Sequence, residues 1–314
     1  LIFGYLLNKL GSEVAMRILI SGASGLIGSH LAPFLSQNGH TVQRLVRRAP
    51  ADDSEVWWDP DAERMDAAPL NGVDAVIHLA GKNLADARWT PALKKQFLAS
   101  RVRSTHLLAM AAAKAQNPPK IFLSASAIGY YGHCGNAHIT ESNPPGEDFL
   151  ATLCRDWEAA SQPAAEAGIR LARMRIGIVL SPQGGALAQM LPLFRLGLGG
   201  PLGAGRQYMS WIHIQDILGA ILHILETGAL SGPVNLVGPN PATNRELSRA
   251  LGRALGRPAI LPAPATALRL AFGEMADAAL LSSARVIPEK LLETGYEFKF
   301  PDLDAALRDL LQHR

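Results

Sequence analysis

Cysteine is nearly absent from the 314 residues: Cys134 and Cys154 are the only two. Two thiols supply neither a disulfide framework nor a zinc spacing, so no metal site is expected and a reducing, cytoplasmic setting is. Long apolar runs are missing as well. No stretch of about 18 residues is free of charges and helix breakers, so no transmembrane helix is expected. The run Leu1 to Leu7 ahead of Met16 is too short to span a bilayer and has no clear cleavage site after it. Met16 is read as the natural start, with 1–15 as an upstream segment. An excess of one charge is lacking too: the net charge is +3 and the Lys and Arg residues are scattered. No basic stripe carries interleaved aromatics, so no nucleic-acid partner is expected. There is no internal repeat, low-complexity tract or long linker. What remains is a chain 48% hydrophobic and 18% charged, which fits a compact enzyme with room for a large α/β domain and a smaller partner.

That chain is organised around Arg17-Ile18-Leu19-Ile20-Ser21-Gly22-Ala23-Ser24-Gly25-Leu26-Ile27-Gly28, a short apolar strand running through three glycines into a helix. Gly22 permits a tight turn, Gly25 lets backbone approach a pyrophosphate, and Gly28 packs helix against strand. The helix, Leu26 to Gln37, points its positive end at the phosphates. A second strand, Thr41 to Val46, ends in Arg47-Arg48, where an NAD site carries an acidic residue for the ribose 2′-hydroxyl. Arg47 there accepts a 2′-phosphate, which makes NADP the expected cofactor; the alternative is a solvated surface pair.

Residues 51–72 are polar and broken by Pro60 and Pro69, with Trp57-Trp58 expected to cover a sheet edge. Val73 to Gly81 is a buried strand ending in Leu79-Ala80-Gly81, small enough for a cofactor to lie across, with His78 read as a core histidine. Thr90-Pro91 opens one long helix to about Ala115. Lys120 to Ser126 is the next strand, followed by Gly129-Tyr130-Tyr131-Gly132, and it brings Ser126 and a tyrosine near the expected nicotinamide. A helix is expected over 147–167 and a strand over 170–180. The segment Gly197 to Gly205 reads as a flexible wall or lid, Tyr208 to Ile214 as a strand, and Asp216 as the cap of a helix from Ile217. Thr243-Asn244-Arg245-Glu246 is a capping box, and two further helices follow at about 265–272 and 302–312.

The stretches SGASGLIGSHL, HLAG, SASAIGYYG, RDWEAA, FRLGLGGPLGAGRQYMSWIHIQD, NLVGPNPATN and FGEMAD together resemble the extended short-chain dehydrogenases/reductases. They are most similar to the atypical epimerase-family proteins that end in a small helical domain of undefined function. The resemblance covers about 17–312. It implies a doubly wound Rossmann-type α/β fold, with an NADP-binding domain over 16–240, substrate-side insertions at about 186–210, and a helical domain over 241–314. It implies cofactor contacts from Gly22, Ser24, Gly25, Leu26, Ile27, Gly28, Arg47, Leu79, Ala80, Gly81, Arg101 and Val179. The family's catalytic Tyr, and the Lys four residues later, fall here on Leu150 and Cys154, which can neither give a proton nor hold a fixed charge. Ser126 matches the family Ser. Tyr130 is the first candidate for proton transfer, and the competing reading is that Tyr130 and Tyr131 only pack the cofactor floor. Met209 stands where sugar-nucleotide epimerases often carry an Arg, which puts a nucleotide-sugar substrate in doubt. The functional expectation is an NADP(H)-binding oxidoreductase or epimerase acting on a small carbonyl or hydroxyl compound. Its rival is a non-catalytic NADPH-binding sensor or docking protein. Relatives of this kind often form a homodimer through helices flanking the sheet, which no exposed apolar stripe here demands.

Overall fold

The computed structural model describes residues 15–85 and 87–312. The expectation for 1–15 therefore lies, Ala15 apart, outside the described residues. Arg17–Ser21 (β1), Thr41–Val46 (β2), Glu55–Trp57 (β3), Ala75–His78 (β4), Ile121–Ala127 (β5) and Arg170–Ile176 (β6) are joined later in the chain by a further sheet strand at Gly232–Leu236. These seven strands form one sheet in the order Gly232–Leu236, β6, β5, β4, β1, β2, β3. Every neighbouring pair is parallel. The apolar runs Ile18–Ile20, Ala75–Ile77 and Ile121–Leu123 are buried because helices cover both faces. The chain leaves β1 towards β2 and β3, then returns to β4 on its other side. That reversal opens a crevice at the carboxyl ends of β1 and β4, where open α/β sheets bind ligands.

Helices Leu26–Gln37 (α1), Pro91–Leu98 (α2), Ser104–Lys114 (α3), Phe149–Ala160 (α4) and Gln162–Glu166 (α5) occupy the crossovers. Several expected elements are subdivided, each for a local reason. The long helix after Thr90 contains a π-helical turn at Ala99–Arg103, between α2 and α3. Thr90 caps α2 through its Oγ1, 3.2 Å from the Leu93 N–H, as Thr-Pro implies. The helix after the long loop starts at Phe149, because the Asp148 carboxylate accepts the Ala151 N–H at 2.8 Å.

The strand expected over 170–180 breaks at Gly177. A Cβ there would stand 2.5 Å from the Ser210 carbonyl oxygen and 2.6 Å from a Val237 methyl, so only glycine lets the segments cross. Beyond it Ile178–Leu180 (β7) leaves the main sheet and pairs in parallel with Trp211–His213 (β8). The strand expected over 208–214 is likewise split at Ser210. Tyr208–Met209 pairs antiparallel with Ala242–Thr243, while Ser210 Oγ is spent on the Ala284 carbonyl at 2.8 Å and the Val286 N–H at 2.9 Å.

Gly185–Arg195 (α6), Ile214–Glu226 (α7), Asn244–Leu255 (α8), Ala265–Phe272 (α9) and Leu303–Gln312 (α10) complete the labelled helices. Asp216 does not cap α7. The cap is His213, whose Nδ1 accepts the Gln215 N–H at 3.0 Å, and the helix begins at Ile214. Asp216 instead accepts the backbone N–H groups of Lys299 and Phe300 at 2.7 and 3.0 Å, tying the C-terminal segment to α7. The capping box at α8 is complete, with Thr243 and Glu246 bonding each other's backbone. Trp57 is exposed on the edge strand β3, but Trp58 is buried and packs edge-on to His78 with ring centroids 6.0 Å apart. The glycines of 197–205 serve close packing: Gly200 touches the Leu261 backbone, and the Gly203 N–H donates to Ala263 O at 2.8 Å. That segment is a wall stapled to 258–264. Among the described residues no helix is long and apolar enough to cross a membrane.

Candidate functional site

The glycine loop is built by sterics. Gly22 has φ +72°, and a Cβ there would lie 2.8 Å from both the Ala80 nitrogen and the Leu79 carbonyl carbon. The loop is thereby clamped against Leu79-Ala80 at the end of β4. A Cβ on Gly28 would sit 2.2 Å from the Gly22 oxygen, so the first turn of α1 can press onto the loop only with glycine there. Ser21 Oγ reinforces the junction by accepting the Leu79 N–H at 3.2 Å while bonding His78 Nδ1 at 2.6 Å. His78 is fully buried and its Nε2 meets Ser104 Oγ at 3.3 Å, so it ties β4 to β1 and α3. Burial pulls its pKa down to about 3, which keeps it neutral.

Gly25 is the N-cap of α1. It offers no side-chain cap, and the first turn carries no acidic residue. The leading N–H groups of α1, behind exposed Ser24 and Gly25, are free of side-chain competition for an anion. The Leu26 side chain tucks under the Gly184-Gly185 turn, and Gly185 in turn lies against the Val179 carbonyl. This brings Leu26 and Val179 together at the mouth of the crevice. At the end of β2 the two arginines divide. Arg48 is spent on Glu55 in a two-pronged bond, both prongs 2.7 Å. The Arg47 side chain is 73% exposed, and its one ion pair among the described residues is a long one to Asp61 at 3.9 Å.

On the other side of the crevice, Arg101 stands in the π-helical turn with 8% of its surface exposed. Such turns concentrate at functional sites. A Cβ on Gly81 would meet the Arg101 guanidinium carbon at 3.3 Å. The guanidinium lies 5.1 Å from the Trp157 ring centroid, and Nη1 donates to Phe97 O at 3.5 Å. Its Nε is buried without a partner among the described residues. Burial lowers its pKa to about 10, so it remains a cation at neutral pH.

Ser126 is placed differently from an open substrate contact. It is 2% exposed and donates to Glu158 Oε1 at 2.8 Å. Glu158 is also held by Arg175, with Nε to Oε1 at 2.8 Å and Nη2 to Oε2 at 3.0 Å. Burial opposes the charge on Arg175, but the hydrogen bonds and charge of Glu158 outweigh it and hold its pKa above the ordinary value. The two tyrosines separate on this frame. Tyr131 is buried, and its hydroxyl accepts from Arg175 Nη1 at 2.9 Å and donates to Asn235 Oδ1 at 2.7 Å. Burial pushes it up to about 12. Tyr130 is half-buried, its ring 3.5 Å from the Arg175 guanidinium carbon, and its hydroxyl has no hydrogen bond among the described residues.

Leu150 and Cys154 face Gly129, where a Cβ would lie 3.3 Å from Leu150 Cβ and 3.8 Å from Cys154 Sγ. Burial, helped by Glu158, pushes the Cys154 thiol up to about 12, so it carries no charge. Among the described residues no group of three or more His, Cys, Asp or Glu is placed to hold a metal ion. Sequence reasoning missed the Glu158–Arg175 pair. The signal was there in Arg170-Leu171-Ala172-Arg173-Met174-Arg175, since charged residues inside a buried strand require buried partners.

Gly22, Gly25, Gly28, Leu79, Ala80, Gly81 and Arg101 thus converge on one crevice. A glycine cradle, an uncapped helix start and a buried guanidinium with no ion pair among the described residues suit an anionic ligand. Comparison with known proteins agrees. The chain is 46% identical over 290 residues to an epimerase family protein of Mycobacterium bovis, covering 92% of this chain and 96% of that one. It is 39% identical over 299 residues to the human epimerase family protein SDR39U1, covering 94% and 100%. The crystal structure of human SDR39U1 (isoform 2) with NADPH superposes with a TM-score of 0.89 at 38% identity, over 95% of this chain and 100% of that one. Residues 263–310 match a domain of unknown function, DUF1731. Residues 18–250 match the NAD dependent epimerase/dehydratase family, and the chain belongs to it.

Proposed function

We propose that this protein binds NADPH in the crevice between β1 and β4 and is an oxidoreductase or epimerase-like enzyme for a small carbonyl or hydroxyl compound. The observation that carries the cofactor reading is the division of labour at the end of β2. Arg48 is consumed by Glu55, whereas Arg47 is exposed at the end of β2 with only a long, solvent-exposed pair to Asp61 at 3.9 Å among the described residues, which leaves it able to meet a 2′-phosphate. The human relative crystallised with NADPH supports it. The leading N–H groups of α1 would receive the pyrophosphate, and the missing side chain of Gly81 lets Arg101 stand at the end of β4. When bound, the dinucleotide supplies a hydride donor or acceptor.

The chain's own residues do the rest. Tyr130 offers the hydroxyl left unspent by the network and is held in orientation by the Arg175 guanidinium beneath its ring. It donates a hydrogen bond to the substrate oxygen. Ser126 acts as a positioning residue, fixing Glu158 and through it Arg175. Turnover of a carbonyl panel with NADPH tests this, with Tyr130→Phe expected to lose turnover while keeping cofactor affinity.

A second reading rests on Leu150 and Cys154, which leave the usual proton donor and its cationic partner without side chains able to serve. In it the protein is a non-catalytic NADPH sensor or docking module. Tight NADPH binding with no oxidation by any carbonyl tested would favour it.

A further inference from the structure

Five large aliphatic side chains stand in solvent where the end of α6 meets the segment after α8: Leu193, Leu196, Leu198, Ile260 and Leu261 are each between 49% and 75% exposed. Single apolar residues on a surface need no explanation, but a contiguous group does. Local geometry makes these contiguous. α6 ends in a Schellman motif, in which Gly197, at φ +72°, donates its N–H to Phe194 O at 3.0 Å and Leu198 donates to Leu193 O at 3.0 Å. That motif folds the residue after the glycine back onto the last helical turn, which sets Leu198 beside Leu193. The chain then runs alongside 258–264. Leu261 N–H donates to Gly199 O at 3.2 Å, Ala263 N–H donates to Pro201 O at 2.9 Å, and a Cβ on Gly197 would lie 3.5 Å from Pro258 Cγ. Ile260 and Leu261 are thereby held against the end of α6, and the five side chains form one ridge. Charge of a single sign accompanies it. Arg195 and Arg257, one on each segment, are exposed and have no ion pair among the described residues. No Asp or Glu occurs between Glu166 and Asp216, nor between Glu246 and Glu274.

We propose that this ridge is a membrane-contact face, whose Leu and Ile side chains enter the headgroup–acyl boundary of an anionic bilayer while Arg195 and Arg257 meet the headgroups. Chemistry favours lipid over protein as the occupant. Apart from the two arginines, 192–205 and 257–264 contain no side chain able to form a hydrogen bond, whereas a protein interface needs roughly one such bond per 100–200 Å². A second copy of the chain, pairing ridge to ridge, would close the arginines of one protomer on those of the other with no carboxylate between them. A bilayer asks only for apolar area and positive charge. The contact is interfacial, since among the described residues no helix is long and apolar enough to cross a membrane. It is also separate from the dinucleotide crevice. Gly185, at the other end of α6, lies against Leu26 at the crevice mouth, and the 11 residues of the helix put about 15 Å between the two places.

Co-sedimentation of the full chain with phosphatidylcholine vesicles, with and without about 30% phosphatidylserine and at about 0.1 M salt, tests it. The unmodified protein is expected to bind the mixed vesicles at least tenfold more tightly than the neutral ones. Replacing both Arg195→Gln and Arg257→Gln lowers affinity for the mixed vesicles about twenty-five-fold, or about fivefold per arginine, and leaves the neutral ones unchanged. Replacing both Leu196→Gln and Ile260→Gln lowers affinity for either vesicle at least tenfold. All four positions are exposed, so the urea unfolding midpoint of both variants stays that of the unmodified protein. Three vesicle results would overturn the proposal: no binding to the mixed vesicles, equal affinity for both compositions, or binding that survives either pair of substitutions, including binding carried by the run Leu1 to Leu7. A dimer seen by sedimentation equilibrium that the Leu196 and Ile260 substitutions dissociate would assign the ridge to a second copy, and would overturn it too.

Discussion

Arg175 and Glu158 face each other in the interior as a two-pronged pair, 2.8 and 3.0 Å, and Ser126 donates to the same carboxylate at 2.8 Å. The pair orients both tyrosines of the loop after β5: Tyr131 through a hydrogen bond, Tyr130 through its ring. A residue group of this kind is expensive to break, because removing one partner strands the other charge in the core. Glu158→Gln is expected to destabilise the fold by about 3–5 kcal/mol. Urea unfolding at pH 7 measures it, and a loss below about 1 kcal/mol would show that the pair is solvated.

The same network separates two roles that sequence alone merges. Ser126→Ala removes one hydrogen bond to a charged group and is expected to lower stability by about 1.5–3 kcal/mol. Tyr130→Phe removes a hydroxyl with no partner among the described residues, so its stability should be unchanged while turnover falls by about 10²–10⁴. Paired unfolding and turnover assays on the two variants check this. Undiminished turnover in Tyr130→Phe would remove its role.

Gly28 tests the cradle. With a Cβ 2.2 Å from the Gly22 oxygen, Gly28→Ala has to push α1 away from the loop. The expected cost is about 1–3 kcal/mol, with NADPH affinity down at least tenfold. A variant that binds NADPH as the unmodified protein does would show that the loop does not grip the pyrophosphate.

His213 links acid sensitivity to the C-terminal helix. Its ring is buried, stacks on Phe300 with centroids 4.0 Å apart, and lies 3.3 Å from Asp309 on α10. Burial lowers its pKa to about 4, although Asp309 pulls the other way. The unfolded chain, with an ordinary histidine, binds the proton first. The contribution of His213 to stability is therefore complete above about pH 6.5 and is lost as pH falls towards 4. Asp216 and Glu141, whose pKa values burial raises, act in the opposite sense. The difference between the unmodified protein and His213→Asn, which retains a capping oxygen for α7, isolates the histidine. That difference is expected to shrink from pH 6.5 to 4; a constant difference would mean that His213 does not titrate as described.

Much of this architecture was legible in the sequence. The apolar strand feeding three glycines, Thr90-Pro91 and the Thr243 capping box are local signals, because sterics and capping act within a few residues. What was not legible depends on distant partners. Asp216 has the sequence context of a helix cap, yet its carboxylate is claimed by backbone 83 and 84 positions later. That the Tyr131 hydroxyl is occupied depends on Asn235 and Arg175, 104 and 44 positions later in the chain. The glycines of 197–205 have the composition of a flexible segment and the geometry of a packed one, since their missing side chains admit Leu261 and Phe194.

Calorimetric titration of NADPH and NADH against the unmodified protein, Arg47→Ala and Arg48→Ala tests the central claim most directly. The account predicts a preference for NADPH that collapses in Arg47→Ala and survives in Arg48→Ala, because Glu55 already holds Arg48. Equal affinity for both nucleotides, or no binding of either, would contradict it.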